Sequence, residues 1–493
     1  ETFECRFAYM GFQFVRVTAD PGVTVERVEA VPVHTDVAEA GRFVCSNDVV
    51  NRLQDMSRAS LLNNFHSIPT DCPHREKQGW TADTYMTDQA AIYNFDMAAF
   101  YAKWVEDLAG TQDSAGGLCT VAPSTGYDQS ISTVWPAAIV YVPWDLLAYY
   151  GDRRVVERHY ETMMRFAESS LLRQRDGKPE IIGEVLGDWV SPHMTLSDTL
   201  MSYSMAPPEG LTLYGTASHY RVVRNLAEVA RFLGKRDDAV RLDAWADRIA
   251  RRFNEEFFDA ASGIYHGENP TPYRQAANVV PLEYGLVPEA DSARVLGSLL
   301  RDLDGTRDRI GTGFVGTLSM MELMPRIDPE RAYRLATQPD YPGWGFMALS
   351  GATTMWETWD GSASRNHPPF CLISAYFYKY LAGIRCDRAY PGFERFTVDP
   401  SVVGDLTFVE AWHDSPYGRI RSEWRRDGSR LTMKVSVPVG TTATIGVPTR
   451  DAAGVAESGR PVSGADGVKF LRAAGGKAFY EVGSGSYVFT SRL

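Results

Sequence analysis

The chain has 493 residues, more than the roughly 100–200 of one domain. A 44% hydrophobic content with 12% aromatic residues suits a globular protein with a large core, and a formal net charge of −12 with no Lys/Arg-rich block argues against nucleic acid as a partner. No apolar run reaches the roughly 18 residues of a membrane span.

Residues 1–40 read as strands. Phe12, Phe14, Val15 and Val17 form a β-rich run, Asp20-Pro21-Gly22 makes a turn, and Val23, Val25, Val28, Val31 and Val33 follow. Two or three strands do not stand alone. From Ser46-Asn47 the period changes. Asn47 is a plausible N-cap, and Val49, Val50, Leu53 and Met56 make a helical stripe. Helices are expected over 97–109, 136–150, 153–172, 217–233, 237–256, 291–303, 312–324, 329–337 and 365–381. About a dozen helices of ordinary length fill residues 41–384. Six antiparallel pairs in a ring would fit, although periodicity does not separate a toroid from a solenoid. After Leu381-Ala382-Gly383 the period returns to two. A hairpin turn is expected within 424–430, and Leu431, Met433, Val435 and Val437 alternate with polar residues. Further strands are expected at 443–448 and 487–490, so residues 385–493 read as an antiparallel β-sandwich with a structural role.

The six cysteines, at 5, 45, 72, 119, 371 and 386, show no Cys-x-x-Cys or Cys/His metal spacing. Free thiols, no metal and no cofactor are expected. No secretory signal is visible, and a cytoplasmic location is preferred over a periplasmic or secreted one. The chain starts at Glu1 rather than Met, which leaves room for a removed signal or removed domains.

Chemistry concentrates in two stretches. Residues 70–83 read TDCPHREKQGWTAD and hold Asp71, Arg75, Glu76, Trp80 and Asp83. Pro73 and Gly79 keep a regular helix out. Carboxylates for hydroxyls and proton transfer, a fixed cation to orient them and an indole wall are what a sugar site uses. A helix-capping loop with surface ion pairs would have the same composition. Residues 351–361 read GATTMWETWDG and set Glu357 between Trp356 and Trp359, surroundings that should raise a carboxyl pKa.

Together the two stretches resemble the α-L-rhamnosidases of glycoside hydrolase family 78, which carry Asp-Cys-Pro-x-Arg-Glu…Gly-Trp-Thr-x-Asp and, far downstream, Gly-Ala-Thr-Thr-x-Trp-Glu-x-Trp-Asp. The resemblance covers essentially the whole chain. It implies a mixed, mainly α architecture. An (α/α)6 barrel at 41–384 would be flanked by the last strands of an N-terminal β-sandwich at 1–40 and by the C-terminal sandwich. It implies an inverting hydrolase that removes terminal α-L-rhamnose from a rhamnose-containing glycoside or glycan, with Glu76 as general acid and Glu357 as general base. Asp71 or Asp83 is the alternative acid. Asp71, Asp83 and Arg75 would bind hydroxyls; Trp80, Trp135 and Trp189 would form the apolar wall. His367 matches the family's sugar-binding histidine. An inverting pair should stand about 6.5–9.5 Å apart. The chain departs from the family at Ala137, where many members are acidic, and at Pro368, where Ser-x-Asn-His-Tyr is usual. These changes touch the leaving-group side. Competing readings are another toroid glycosidase, a polysaccharide lyase on uronate sugars, and a carbohydrate-binding protein without catalysis.

Overall fold

The computed structural model describes residues 2–126, 132–192 and 206–493. Residues 2–38 contain no strand, which corrects the expectation for 1–40. The turn is present, with the Val23 N–H donating to Asp20 O at 3.0 Å. Phe12, Phe14, Val17 and the valines to Val33 are nevertheless exposed. An alternating sequence becomes a strand only beside a second backbone that takes its N–H and C=O groups, and residues 12–33 pair with no strand among the described residues.

Regular structure starts at Gly41–Cys45, a strand. Thirteen helices follow among the described residues: α1 (Asp48–Leu62), α2 (Thr81–Asn94), α3 (Ala98–Ala109), α4 (Ala138–Tyr150), α5 (Arg153–Ser169), α6 (Thr212–Phe232), α7 (Arg236–Phe257), α8 (Gln275–Tyr284), α9 (Glu289–Thr306), α10 (Phe314–Ile327), α11 (Pro329–Thr337), α12 (Trp344–Leu349) and α13 (Leu372–Tyr376). Asn47 caps α1, its Oδ1 accepting from the Val49 and Val50 N–H groups at 2.9 and 3.2 Å. Six helices touch in a closed circuit: α2 to α4, α6, α8, α10, α13 and back to α2. Chain neighbours of these helices pack mainly on the outside: α3 and α5 on α4, α7 on α6, α9 on α8, α11 on α10. The circuit helices are buried almost all round; in α2 only Gln89 keeps partial exposure. The outer ones are two-faced, as in α7, which buries Leu242, Trp245, Ile249 and Phe253.

The helix expected over 365–381 begins only at Pro369. Pro368 and Pro369 have no N–H for a helical bond, and the His367 N–H is taken by Met355 O at 2.9 Å.

The C-terminal region folds as a seven-stranded and a five-stranded sheet. The expected hairpin is Gly418–Asp427 paired with Arg430–Val437, Asp427 facing Arg430 across Gly428-Ser429. Leu431, Met433, Val435 and Val437 are all buried. Strand Gly41–Cys45 pairs with Phe408–Ser415, Gly41 opposite His413. It therefore belongs to the C-terminal sheet although it precedes the helices. Gly41 must be glycine there, because a Cβ would lie 1.9 Å from Tyr93 O. All six cysteines are free. No helix among the described residues is long and apolar enough to cross a membrane.

Candidate functional site

The loop at 70–80 closes on itself before α2 starts. The Asp71 N–H donates to Gln78 O at 2.9 Å, and the Gln78 N–H donates to Asp71 Oδ1 at 2.8 Å. Inside this ring the Glu76 N–H donates to Cys72 Sγ at 3.2 Å. Gly79 passes so close to Ala122 that a Cβ would meet its carbonyl at 2.1 Å. The Lys77 ammonium donates to Tyr9 O at 2.7 Å and sits 4.5 Å over the Tyr9 ring. Helix α2 then begins at Thr81 and places Asp83 in its first turn.

The loop at 351–368 is held as a narrow turn. The Glu357 N–H donates to Ser364 O at 2.8 Å, and the Ser364 N–H returns a bond to Glu357 Oε2 at 3.1 Å. The aromatic residues frame the loop. The Trp359 indole donates to Thr312 O at 2.9 Å and stacks on Phe370 at 3.9 Å. Trp356 carries the Arg365 guanidinium 5.3 Å from its ring.

Arg75 joins the two loops. Its Nη2 lies 3.0 Å from Glu76 Oε1 and 3.1 Å from Glu357 Oε2. Two oxygens each about 3 Å from one nitrogen lie within about 6 Å of each other. The Trp80 indole donates to Glu76 Oε2 at 2.8 Å. His367 Nε2 is 3.0 Å from Asp83 Oδ1, and its Nδ1 is 3.9 Å from Glu357 Oε2. The side chain of Glu76 keeps 31% of its exposure and that of Glu357 only 5%, so Glu76 is the more open of the two.

Burial and charge sort the protons. Burial pushes the Asp71 carboxyl up to about 9, with His367 opposing. Burial also raises Asp83 against the pull of His367. Burial alone would lower His367, but Glu357 and then Asp83 outweigh it and hold the imidazole protonated. Burial pushes the Cys72 thiol up, yet hydrogen bonds with His367 and Asp71 draw it down to about 6. Arg75 keeps its charge because Glu357 and Glu76 outweigh its burial. Asp71 Oδ2 is buried without a hydrogen-bond partner, so it is an acceptor or donor awaiting one. Among the described residues no group of His, Cys, Asp and Glu is arranged to hold a metal ion.

Seven of the nine residues singled out from sequence thus gather in one place: Asp71, Arg75, Glu76, Trp80, Asp83, Glu357 and His367. The other two tryptophans differ. Trp135 is a core residue, 2% exposed, its N–H donating to Ser132 Oγ at 3.1 Å. Trp189 is half-buried, and its carbonyl accepts from the Phe314 N–H at 2.9 Å. Phe314 in turn stacks on His367 with ring centroids 6.0 Å apart. Sequence reasoning passed over Cys72, given only as one of six free thiols, and Phe314, which carries no local signal. It also passed over Asp188, which accepts from the Gly313 and Gly316 N–H groups at 2.7 and 2.8 Å and so fixes the start of α10. Its place before Trp189 and the glycine pair at 313 and 316 were the available hints.

Residues 38–381 match the model of the bacterial alpha-L-rhamnosidase 6 hairpin glycosidase domain, and residues 383–460 that of the bacterial alpha-L-rhamnosidase C-terminal domain. The chain belongs to the bacterial α-L-rhamnosidase family. It is 30% identical to an alpha-L-rhamnosidase of Streptomyces avermitilis over 99% of this chain and 46% of that protein. It is 29% identical to one of Formosa agariphila over 90% of this chain and 48% of that protein. The chain thus spans about half the length of the curated relatives it matches. Among solved structures, the alpha-L-rhamnosidase of Dictyoglumus thermophilum superposes with a TM-score of 0.85 at 31% identity, over 95% of this chain and 52% of that one. The Streptomyces avermitilis enzyme, solved with L-rhamnose, superposes with a TM-score of 0.81 at 28% identity, over 93% of this chain and 42% of that one.

Proposed function

We propose that this chain carries the catalytic centre of an inverting α-L-rhamnosidase, which releases terminal α-L-rhamnose from a glycoside, oligosaccharide or polysaccharide. One observation carries the reading: Glu76 and Glu357, far apart in sequence, share the Arg75 guanidinium at 3.0 and 3.1 Å. Glu76, the more open carboxyl, protonates the leaving oxygen. Glu357, oriented by the Ser364 N–H, takes a proton from the attacking water. Inversion needs the carboxyl groups about 6.5–9.5 Å apart, retention about 5–5.5 Å. A guanidinium nitrogen that touches both nearest oxygens holds them at most about 6 Å apart, a bound that does not separate the two ranges, so inversion is taken from the family resemblance. The protonated His367, Asp83 and the unpartnered Asp71 Oδ2 serve the sugar hydroxyls, and Trp80 and Trp189 form apolar wall. Trp135 supports that wall from the core. The circuit of six buried helices with outer partners supports an (α/α)6 barrel at 41–384, and the two sheets support a C-terminal β-sandwich that borrows strand Gly41–Cys45.

A second reading makes Asp71 the acid, because burial keeps its proton on to about pH 9. Substitution separates the two. With an aryl α-L-rhamnoside, Glu76→Gln and Glu357→Gln should each lower kcat by about 10²–10⁴. Proton NMR of the first turnovers should show β-L-rhamnose. Unchanged turnover in both variants removes the assignment, and an initial α-anomer removes inversion. For substrates with an activated phenolate, Glu76→Gln should lose less than it does for an alkyl rhamnoside, whereas an acid at Asp71 would move that pattern to Asp71→Asn.

A further inference from the structure

Two of the circuit helices bring their earlier ends to the carboxylates: Asp83 lies in the first turn of α2, and Phe314 opens α10. Further along the same helices, past Asp83 on α2, a cavity of about 550 Å³ is lined by residues of all six, within the range of ligand sites. None of Glu76, Glu357, Arg75, Asp71, Asp83 or His367 lines it. Arg224 and Glu228, both exposed, stand at its rim, and Arg385, Cys386 and Arg388 from the C-terminal region close one side.

Its lining has three properties. First, its cations are already matched by acids. Arg388 pairs with Asp145, Lys379 with Glu322, Arg385 with Asp399, Arg224 with Asp243, and Arg221 lies 3.8 Å from Glu283. Each of the five lining cations is thus paired with an acid, so a phosphate or carboxylate would find no unmatched positive charge. Second, the wall is aromatic: seven tyrosines and Trp144, of which Tyr141, Tyr284 and Trp144 carry a guanidinium over the ring and the others suit the C–H side of a sugar ring. Third, buried polar atoms there lack hydrogen-bond partners: Asp88 Oδ2, Tyr141 Oη and Tyr376 Oη, on residues 1%, 7% and 2% exposed, beside Arg221 Nη1, Glu283 Oε2 and Arg388 Nη1 of the ion pairs. Burial and the neighbouring Asp145, which shares that proton in a hydrogen bond, hold Asp88 neutral, so these three groups are uncharged. Buried groups of that kind are normally satisfied.

We propose that this cavity is a second carbohydrate site, which takes a neutral polyhydroxylated ring of monosaccharide to disaccharide size apart from the carboxylate pair. The sugar's hydroxyls would pair with Asp88, Tyr141 and Tyr376, and its apolar face would lie on the tyrosine wall. The assignment does not require that the carboxylate pair hydrolyse rhamnosides, because it is read by location.

Crystals of the full chain soaked to saturation in L-rhamnose, and separately in D-glucose, test it. At least one of the two sugars should occupy the cavity within hydrogen-bond distance of Tyr141 or Tyr376. Titration calorimetry with that sugar should then resolve an event that Tyr141→Phe and Tyr376→Phe each weaken about tenfold, with turnover of an aryl α-L-rhamnoside unchanged. Inorganic phosphate should not compete. Removing an unpartnered hydroxyl should leave the melting temperature level or raised, so folding is not at risk. Only water in the cavity with both sugars, an unchanged affinity in both variants, or displacement by phosphate overturns the assignment.

Discussion

Arg75 has two carboxylates to neutralise with one guanidinium, and around it the remaining acids divide by depth. Glu76 keeps partial exposure and faces Trp80 and Arg75. Asp71, with no exposure, is pushed up to about 9. That difference has a measurable consequence. An ordinary aspartate loses its proton near pH 4, so between about pH 4 and 9 the folded chain holds a proton at Asp71 that the unfolded chain has released. The unfolded state then binds fewer protons, and stability falls as pH rises through that window. His367, also raised in the folded state, adds a fall in the same direction above its ordinary value near 6.5. Asp71→Asn removes the first contribution alone. Melting temperatures from pH 5 to 8.5 should decline less steeply in this variant than in the parent; an equal or steeper decline contradicts a protonated Asp71.

At the scale of elements, the site depends on junctions more than on the helices themselves. The loop carrying Trp189 is tied to the start of α10 by Asp188, whose carboxylate takes two backbone N–H groups. Phe314, between those two glycines, stacks on His367. In Asp188→Asn an amide N–H₂ faces one of the two donors. Losing a buried bond and opposing two donors costs about 1–3 kcal/mol, read as a lower denaturant midpoint at constant m. Because Phe314 would shift with the loop, KM for an aryl rhamnoside should rise with it. A stability loss with KM unchanged would mean that Asp188 supports the fold without positioning His367.

At the scale of the molecule, helices and sheets are interlocked. The Tyr93 hydroxyl of α2 donates to Ile384 O at 2.7 Å, and the Trp424 indole donates to Leu381 O at 2.9 Å. Strand Gly41–Cys45 takes its backbone partners from Phe408–Ser415. A chain ending at Gly383 leaves that strand with open N–H and C=O groups and exposes the buried side of α2. Hydrogen exchange should be faster at 41–45 and in the second half of α2 than in the full chain, with a lower melting temperature. Equal protection would show that the helical circuit stands without the sheets.

Much of this was legible in one sequence for a definite reason. The outer helices and the hairpin at 418–437 each have one wet and one dry face, so burial writes a period of 3.6 or 2 into the residues. The cap at Asn47 and the turn at Gly428-Ser429 depend on neighbours along the chain, and both were readable. Helices α2 and α8 were not: α2 is buried almost all round and has no polar face to set a period, and α8 is ten residues long with Pro281 inside it. Their small and polar residues answer to other helices: the Gln54 amide reaches Asn94 of α2 at 2.8 Å, and the Ser374 hydroxyl returns to Gln54 at 2.7 Å. Local pattern also promised strands at 12–33 that no second backbone completes here. Residue types and their order determined that a carboxylate loop and a tryptophan-flanked glutamate exist. Which atoms meet, through Arg75 and across His367, and which acid keeps its proton, was decided only by tertiary structure, because distance and desolvation are properties of the packed chain.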